Sequence, residues 1–322
     1  MAKTKNWIFW IIVLIALAFY PKVFGIYYTN VFMTFAIFAL FAVSFNLLLG
    51  YTGLLSFGHA MFFGVGGYGT ALALEHVDNL PLIPAVLIGA LAAIALALIL
   101  CPLMVRVSGT AFAMLHLAFG QLMYVLALKL RGITGGEDGI GGFDIPPLNL
   151  FGIVSIEMVD PTNFYYFGVI VLGLSMLFLW FFTKTPFGSI MVAIRDNANR
   201  VDYLGFKVPQ SKAIIYTVSG CFAGVAGSIY ALFQNLIAAD DGFHVMVSFA
   251  PIIITMVGGI GSFFGPIMGA GIFGIIEELT SRYTERVELV MGLILILVIL
   301  FVPLGFMGLL NFLKQKFAKT AA

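Results

Sequence analysis

The sequence predicts an all-α polytopic membrane protein of about ten transmembrane helices, in a single transmembrane domain over residues 1–322. Three observations predict it. Hydrophobic residues make up 61% of the chain and charged ones 10%, against about 25% charged in a soluble domain whose surface faces water. Apolar runs of roughly 20 residues, long enough to cross a hydrocarbon core as helix, recur along the whole length. The short alternating segments of a membrane barrel do not occur.

Taken in order, the spans are expected near 7–21, 28–49, 54–74, 83–105, 110–130, 163–183, 212–234, 246–259, 263–277 and 287–304. Lys3 and Lys5 precede the apolar Trp7–Phe19, and Ala16-Leu17-Ala18 is similar to a signal-peptidase site. Trp7 and Trp10, as interfacial anchors, favour a retained first helix. Between residues 245 and 277 one long tilted helix competes with two shorter ones, and Gly258-Gly259-Ile260-Gly261 with Pro266 argues for a break. Cys101 and Cys221 sit in separate apolar runs and read as buried free thiols.

Charge sets the orientation. With the N-terminus in the cytoplasm and ten crossings, Lys3, Lys5, Arg106, Lys184, Arg195, Arg200, Lys207, Lys212, Lys314, Lys316 and Lys319 fall inside. That is 11 of the 16 lysines and arginines, as the rule on basic residues beside span ends requires, joined by only Asp196 and Asp202 of the 15 acids. Nine crossings would put the tail lysines outside. Residues 132–162 hold five acids and no lysine or arginine, which suits an external, periplasmic loop. The internal segment 184–212 has room for two short helices, with Pro186 at the first start, Asn197 as an N-cap and Gly205 as a C-cap. Ile190, Ala193 and Ile194 form an apolar stripe on the first of them that calls for a partner surface.

The stretch GYTGLLSFGHAMFFGVGGYG, Gly50 to Gly69, carries seven glycines inside what reads as a span. Small residues let helices approach closely in lipid, where tails are as apolar as leucine. Ser56, Ala60 and Gly64 recur at every fourth position, as do Gly261, Gly265 and Gly269, with Gly220 and Gly224 as another pair. Close packing leaves Gly50, Gly53 and Gly58 unexplained beside Thr52, Ser56 and His59. Unwound backbone at membrane depth is tolerated only inside protein or along a watery cavity. Thr52, Ser56, Gly58 and His59 are therefore candidates for the translocation pathway. His59 and His116 are ionisable groups within spans, and a neutral histidine bonded between helices competes with a functional role for each. The match of Gly64 to Gly69 to G-x-G-x-x-G lies in a span, not after a strand, so it carries no dinucleotide reading. No P-loop, metal cluster or nucleophile–base pairing is found; no cofactor, catalysis or nucleic-acid binding is expected.

Four ordered motifs carry a resemblance: the Gly50–Gly69 stretch, LAFGQLMYVLALKLRGITGGEDGI, the long TPFGSIMVAIRDNANRVDYLGFKVPQSKAIIYTVSGCFAGVAGSIYA, and MVGGIGSFFGPIMGA. From about Asn46 to Gly271 the chain resembles the permease subunits of branched-chain amino acid ABC importers, the M-type in particular. The resemblance implies the type II importer arrangement, a bacterial inner-membrane location and three kinds of partner besides lipid. These are a homologous H-type permease, two ATPase subunits and a periplasmic solute-binding protein. It further implies that 184–212 is the cytoplasmic coupling loop that docks on the ATPases, where Phe187, Gly188, Ala193, Ile194, Arg195, Asp196, Leu204 and Gly205 match the family pattern. Arg200-Val201 departs from the small residues common there. Thr134, Gly135, Gly136 and Ile140 would face the binding protein. Urea and short-amide importers share the pattern, and a stand-alone secondary transporter or channel is the rival from another class.

Overall fold

The computed structural model describes residues 2–150, 154–284, 286–301 and 305–308. The side chains of Trp7 and Trp10 and the tail lysines Lys314, Lys316 and Lys319 lie outside that part. Helix α1 runs from Ala2 to Thr52. Its stretch Ile15–Thr52 has 38 residues, which at about 1.5 Å per residue exceeds the ~30 Å hydrocarbon core nearly twofold. Gly25 leaves helical geometry within it (φ 75°, ψ 176°), so the two helices expected at 7–21 and 28–49 are the arms of one bent element. Glycine takes that φ without a Cβ penalty.

Helices α2 (Ala60–His76), α3 (Leu82–Met104) and α4 (Gly109–Lys129) follow, then the short α5 (Arg131–Thr134) and strands β1 (Ile140–Gly141), β2 (Leu148–Leu150) and β3 (Val154–Ile156). Helix α6 (Pro161–Lys184) opens with Asp160 accepting the Thr162 amide at 2.9 Å and proline in its first turn. Next come α7 (Pro186–Tyr203), α8 (Val208–Gln234), β4 (Leu236–Ile237), α9 (Ala239–Phe243), α10 (Val245–Gly258), α11 (Phe264–Ser281) and α12 (Val287–Phe301). The doubtful stretch after Val245 is thus two helices, separated at Gly259 (φ 119°) and Gly261 (φ 79°). Among the described residues six helical stretches are long and apolar enough to cross a membrane: Ile15–Thr52, Leu82–Met104, Gly109–Lys129, Pro161–Lys184, Val208–Gln234 and Ala239–Gly258.

The expected helix at 54–74 begins late. Gly53 adopts φ 71° and the chain stays non-helical until Ala60, so six residues that read as helix, 54–59, belong to a break. Ser56 therefore precedes α2 and is no rung of a helical ladder. Gly261 likewise stands in the turn before α11, and only Gly265 and Gly269 of its trio lie on that helix.

Contacts between distant segments sort the molecule into two ends. At one, β1 pairs antiparallel with β4, Ile140 facing Ile237. There too Tyr165 and Tyr166 donate to the carbonyls of Leu17 (3.0 Å) and Ala18 (2.8 Å), and Tyr27 bonds Glu278. At the other end α7, the C-terminus of α1 and the turn 259–263 meet.

The centre is packed by α2, α3 and α8. A Cβ on Gly66 would strike the backbone of Gly224, one on Gly227 the carbonyl of Phe63, and one on Gly224 the methyl of Ala93. Phe62, Phe63, Tyr216 and Ile229 fill the spaces between them and are fully enclosed.

Candidate functional site

The break between α1 and α2 folds back into the interior and is held by polar side chains from α1 itself and three other elements. Ser56 Oγ lies 2.7 Å from His116 Nδ1 on α4, and His116 Nε2 lies 2.9 Å from the Tyr216 hydroxyl on α8. One step along, Ser44 Oγ of α1 donates to the Phe41 carbonyl at 2.7 Å. With its single proton spent there, it can only accept from His59 Nε2, 3.1 Å away. His59 then carries a proton on Nε2, and its buried Nδ1 has no partner among the described residues. Its ring stacks on Phe41 (centroids 5.4 Å, 15°) and meets Phe45 and Phe62 edge-on. Ser219 of α8 donates to the Ser44 carbonyl (2.6 Å), and Ser248 of α10 accepts the Ala60 amide (3.0 Å), which the break would otherwise leave orphaned.

Thr52, Ser56, Gly58 and His59 are enclosed within the chain, with His59 and His116 both 0% exposed. Thr52 spends its hydroxyl on the Leu48 carbonyl at 2.6 Å. They form a polar hub enclosed within this chain. Both histidines are bonded between helices. Ser44, Tyr216, Ser219 and Ser248 were not singled out from sequence. Ser44 and Asn46, two polar residues within FAVSFNLLLG, were the available signal.

At the same, C-terminal end of α1, beside the start of the break, lies α7. Asn197 (φ −163°, ψ 96°) interrupts it and its Oδ1 accepts the Arg200 amide at 3.0 Å, an N-cap for the second half. Gly205 (φ 86°) ends it with its amide on the Asp202 carbonyl. Gly205→Ala should cost about 1 kcal/mol locally, because a Cβ disfavours that φ; faster amide exchange over 200–206 would register it, and unchanged exchange would contradict it. Gly188 packs on the Thr183 carbonyl, and the Phe187 ring lies 5.5 Å from that of Phe182.

The apolar stripe expected to need a partner turns inward instead. Ile194 is 3% exposed and closes on Val201 and Val208, with Ile190 partly covered beside it and Ala193 left on the outer face. Val201, the departure from the family pattern, is the residue that fills this contact. The uncovered apolar surface is the tip: Tyr203 (89% exposed), Leu204 (71%) and Phe206 (45%). Asp196 is exposed, but Arg195 is turned toward α1, where its Nη1 donates to the Gly50 carbonyl at 2.6 Å.

At the far end Thr134 donates to the Leu130 carbonyl (2.9 Å), and Gly135 and Gly136 follow with φ of 71° and 68°. Ile140 is buried by its pairing with Ile237, so it offers no docking side chain. Of the remaining packing glycines, Gly64 sits close to the backbone of Gly242, Gly265 to that of Gly259, and Gly269 to that of Ile254 and Gly258, whereas Gly220 meets the side chains of Phe62 and Ala97.

What fold and interior define is a multi-pass helical membrane protein built round an interrupted helix. The family described as "Branched-chain amino acid transport system / permease component" matches residues 27–302, and the chain belongs to it. It is 27% identical over 289 residues to the high-affinity branched-chain amino acid transport system permease protein LivM of Escherichia coli strain K12, covering 84% of this chain and 67% of that one. The probable LivM of Methanocaldococcus jannaschii is 26% identical over 297 residues, 80% of this chain and 83% of its own. The E. coli permease protein LivH is 32% identical over 142 residues, 43% of this chain and 46% of its own. No solved structure matches.

Proposed function

We propose that this chain is the M-type permease subunit of an ABC importer that carries branched-chain amino acids inward across the cytoplasmic membrane of a bacterium. It pairs with an H-type permease, two ATPases and a periplasmic binding protein. The relatives named LivM and LivH support the solute and the pairing. One structural observation carries the mechanism: a helix set in a basic loop, α7, ends in an apolar tip that nothing among the described residues covers. In this reading the tip is the ATPases' grip, and ATP-driven closure moves the helices attached to it.

The end bearing α7 is cytoplasmic, since Arg106, Lys184, Arg195, Arg200, Lys207 and Lys212 gather there. The two arms of α1 count as two crossings. With α2, α11 and α12 added to the other five long stretches, ten result. The loop before α6 then faces the binding protein. Because Thr52, Ser56 and His59 are sealed within the chain, the solute passes at the seam with the second permease. Among the described residues the hub histidines pair with hydroxyls and not with carboxylates, which supports a motor and not a proton gradient as the drive.

Tyr203→Asp with Leu204→Asp should remove the docking surface. Co-purification of the ATPases is expected to drop at least tenfold while the chain and its sister permease stay together. Full ATPase recovery with both aspartates in place would sink the proposal.

A further inference from the structure

We infer that Arg195 is a positioning residue, a latch that makes α7, the inner end of α1 and the α10–α11 turn move as one body. The inference rests on the importer reading above. Three observations converge on this side chain. Its Nη1 donates to the Gly50 carbonyl at 2.6 Å, in the last turn of α1, where carbonyls have lost their helical partners and the helix end is electronegative. Asp196 Oδ1 receives both Nε and Nη2 at 3.2 Å and so orients the guanidinium plane. Among the described residues no other α7 side chain hydrogen-bonds a spanning helix.

Asn46, one turn back on α1, completes the clasp. Its Nδ2 donates to the Ser262 carbonyl at 2.9 Å and its Oδ1 accepts the Gly261 amide at 3.2 Å. Gly261 and Gly53, both with positive φ, leave the room the guanidinium and its stem occupy. A Cβ on Gly261 would sit 3.2 Å from Nη1, and one on Gly53 would sit 3.1 Å from Arg195 Cγ. The latch therefore closes on the two places where spanning helices are interrupted, 53–59 and 259–263. A push on the α7 tip reaches both breaks through one side chain. This separates Arg195 from Tyr203, Leu204 and Phe206: those face the motor, whereas Arg195 faces the membrane domain.

The test uses the complete importer in proteoliposomes, reading ATP hydrolysed per solute imported. With R195Q the four-component complex should still co-purify and hydrolyse ATP, while the ATP-to-solute ratio rises at least tenfold; R195K, which keeps one donor, should fall between. A second route covers an R195Q variant that folds poorly. Arg195 Cβ lies 3.9 Å from the Cβ position at Gly53, within disulfide reach, so G53C/R195C in a Cys101→Ala/Cys221→Ala background replaces the latch by a bond. Oxidation should lower the ratio toward wild type and reduction should raise it again. An unchanged ratio in R195Q, loss of the ATPases from its complex, or indifference of the cysteine pair to redox state would overturn the latch and leave the importer reading standing. Absence of ATPases from the wild-type complex would instead overturn the importer reading itself.

Discussion

Gly58→Leu is expected to reduce the yield of folded protein at least tenfold. A Cβ at this position falls on the backbone carbonyl of His116, and across the same contact a Cβ on Gly120 would lie 3.0 Å from the Gly58 Cα. Overpacking costs about 1–3 kcal/mol where side chains can give way. Here the obstacle is the main chain of α4, so relief requires the whole helix to move. That displacement would also pull His116 from Ser56 and Tyr216. Gly58→Ala should be milder but still impaired, since the first carbon already collides. Detergent-solubilised yield and the apparent Tm of whatever is recovered measure this. A leucine variant with wild-type yield and Tm would show that the break does not pack as described.

His116→Leu should lower the apparent Tm by roughly 6–12 °C. Leucine fills much of the ring's volume, so the loss is mainly polar: Ser56 and Tyr216 keep buried hydroxyls without their partner. Each orphaned group costs about 1–3 kcal/mol. A total of about 3 kcal/mol, at about 2–4 °C per kcal/mol for a chain somewhat smaller than this one, gives that range. The triple variant Ser56→Ala/His116→Leu/Tyr216→Phe removes every member of the chain of bonds and should regain part of the loss. A single variant as stable as wild type, or a triple variant less stable than the single, would mean the hub is not closed by these bonds.

Much of the architecture was readable because it rests on local features. Apolar runs placed α3, α4, α6, α8 and α12 to within a few residues at most ends. Asn197 and Gly205 are caps whose geometry depends on the residue itself. The glycines around 258–261 announced a break because only they tolerate its backbone. What could not be read were pairings across long separations. Nothing near residue 50 indicates that a guanidinium arrives from residue 195, and nothing near Ser44 indicates that His59 returns to it. Periodicity also misled where helices stopped. Gly261, Gly265 and Gly269 share a spacing, but a left-handed turn removes the first from the helix. An apolar stripe at Ile190 and Ile194 says that something covers it; only the fold reveals that Val201 and Val208 do.

The glycine contacts among α2, α3 and α8 also bear on how such a molecule can cycle. Main chain touching main chain has no rotamers to exchange and no slack to take up, so these three helices can travel only together. They act as a keel. Shape changes during turnover must be confined to elements seated against that keel through larger, interchangeable side chains, and distance probes placed on Gly66-to-Gly224 neighbours should read one constant value throughout the cycle.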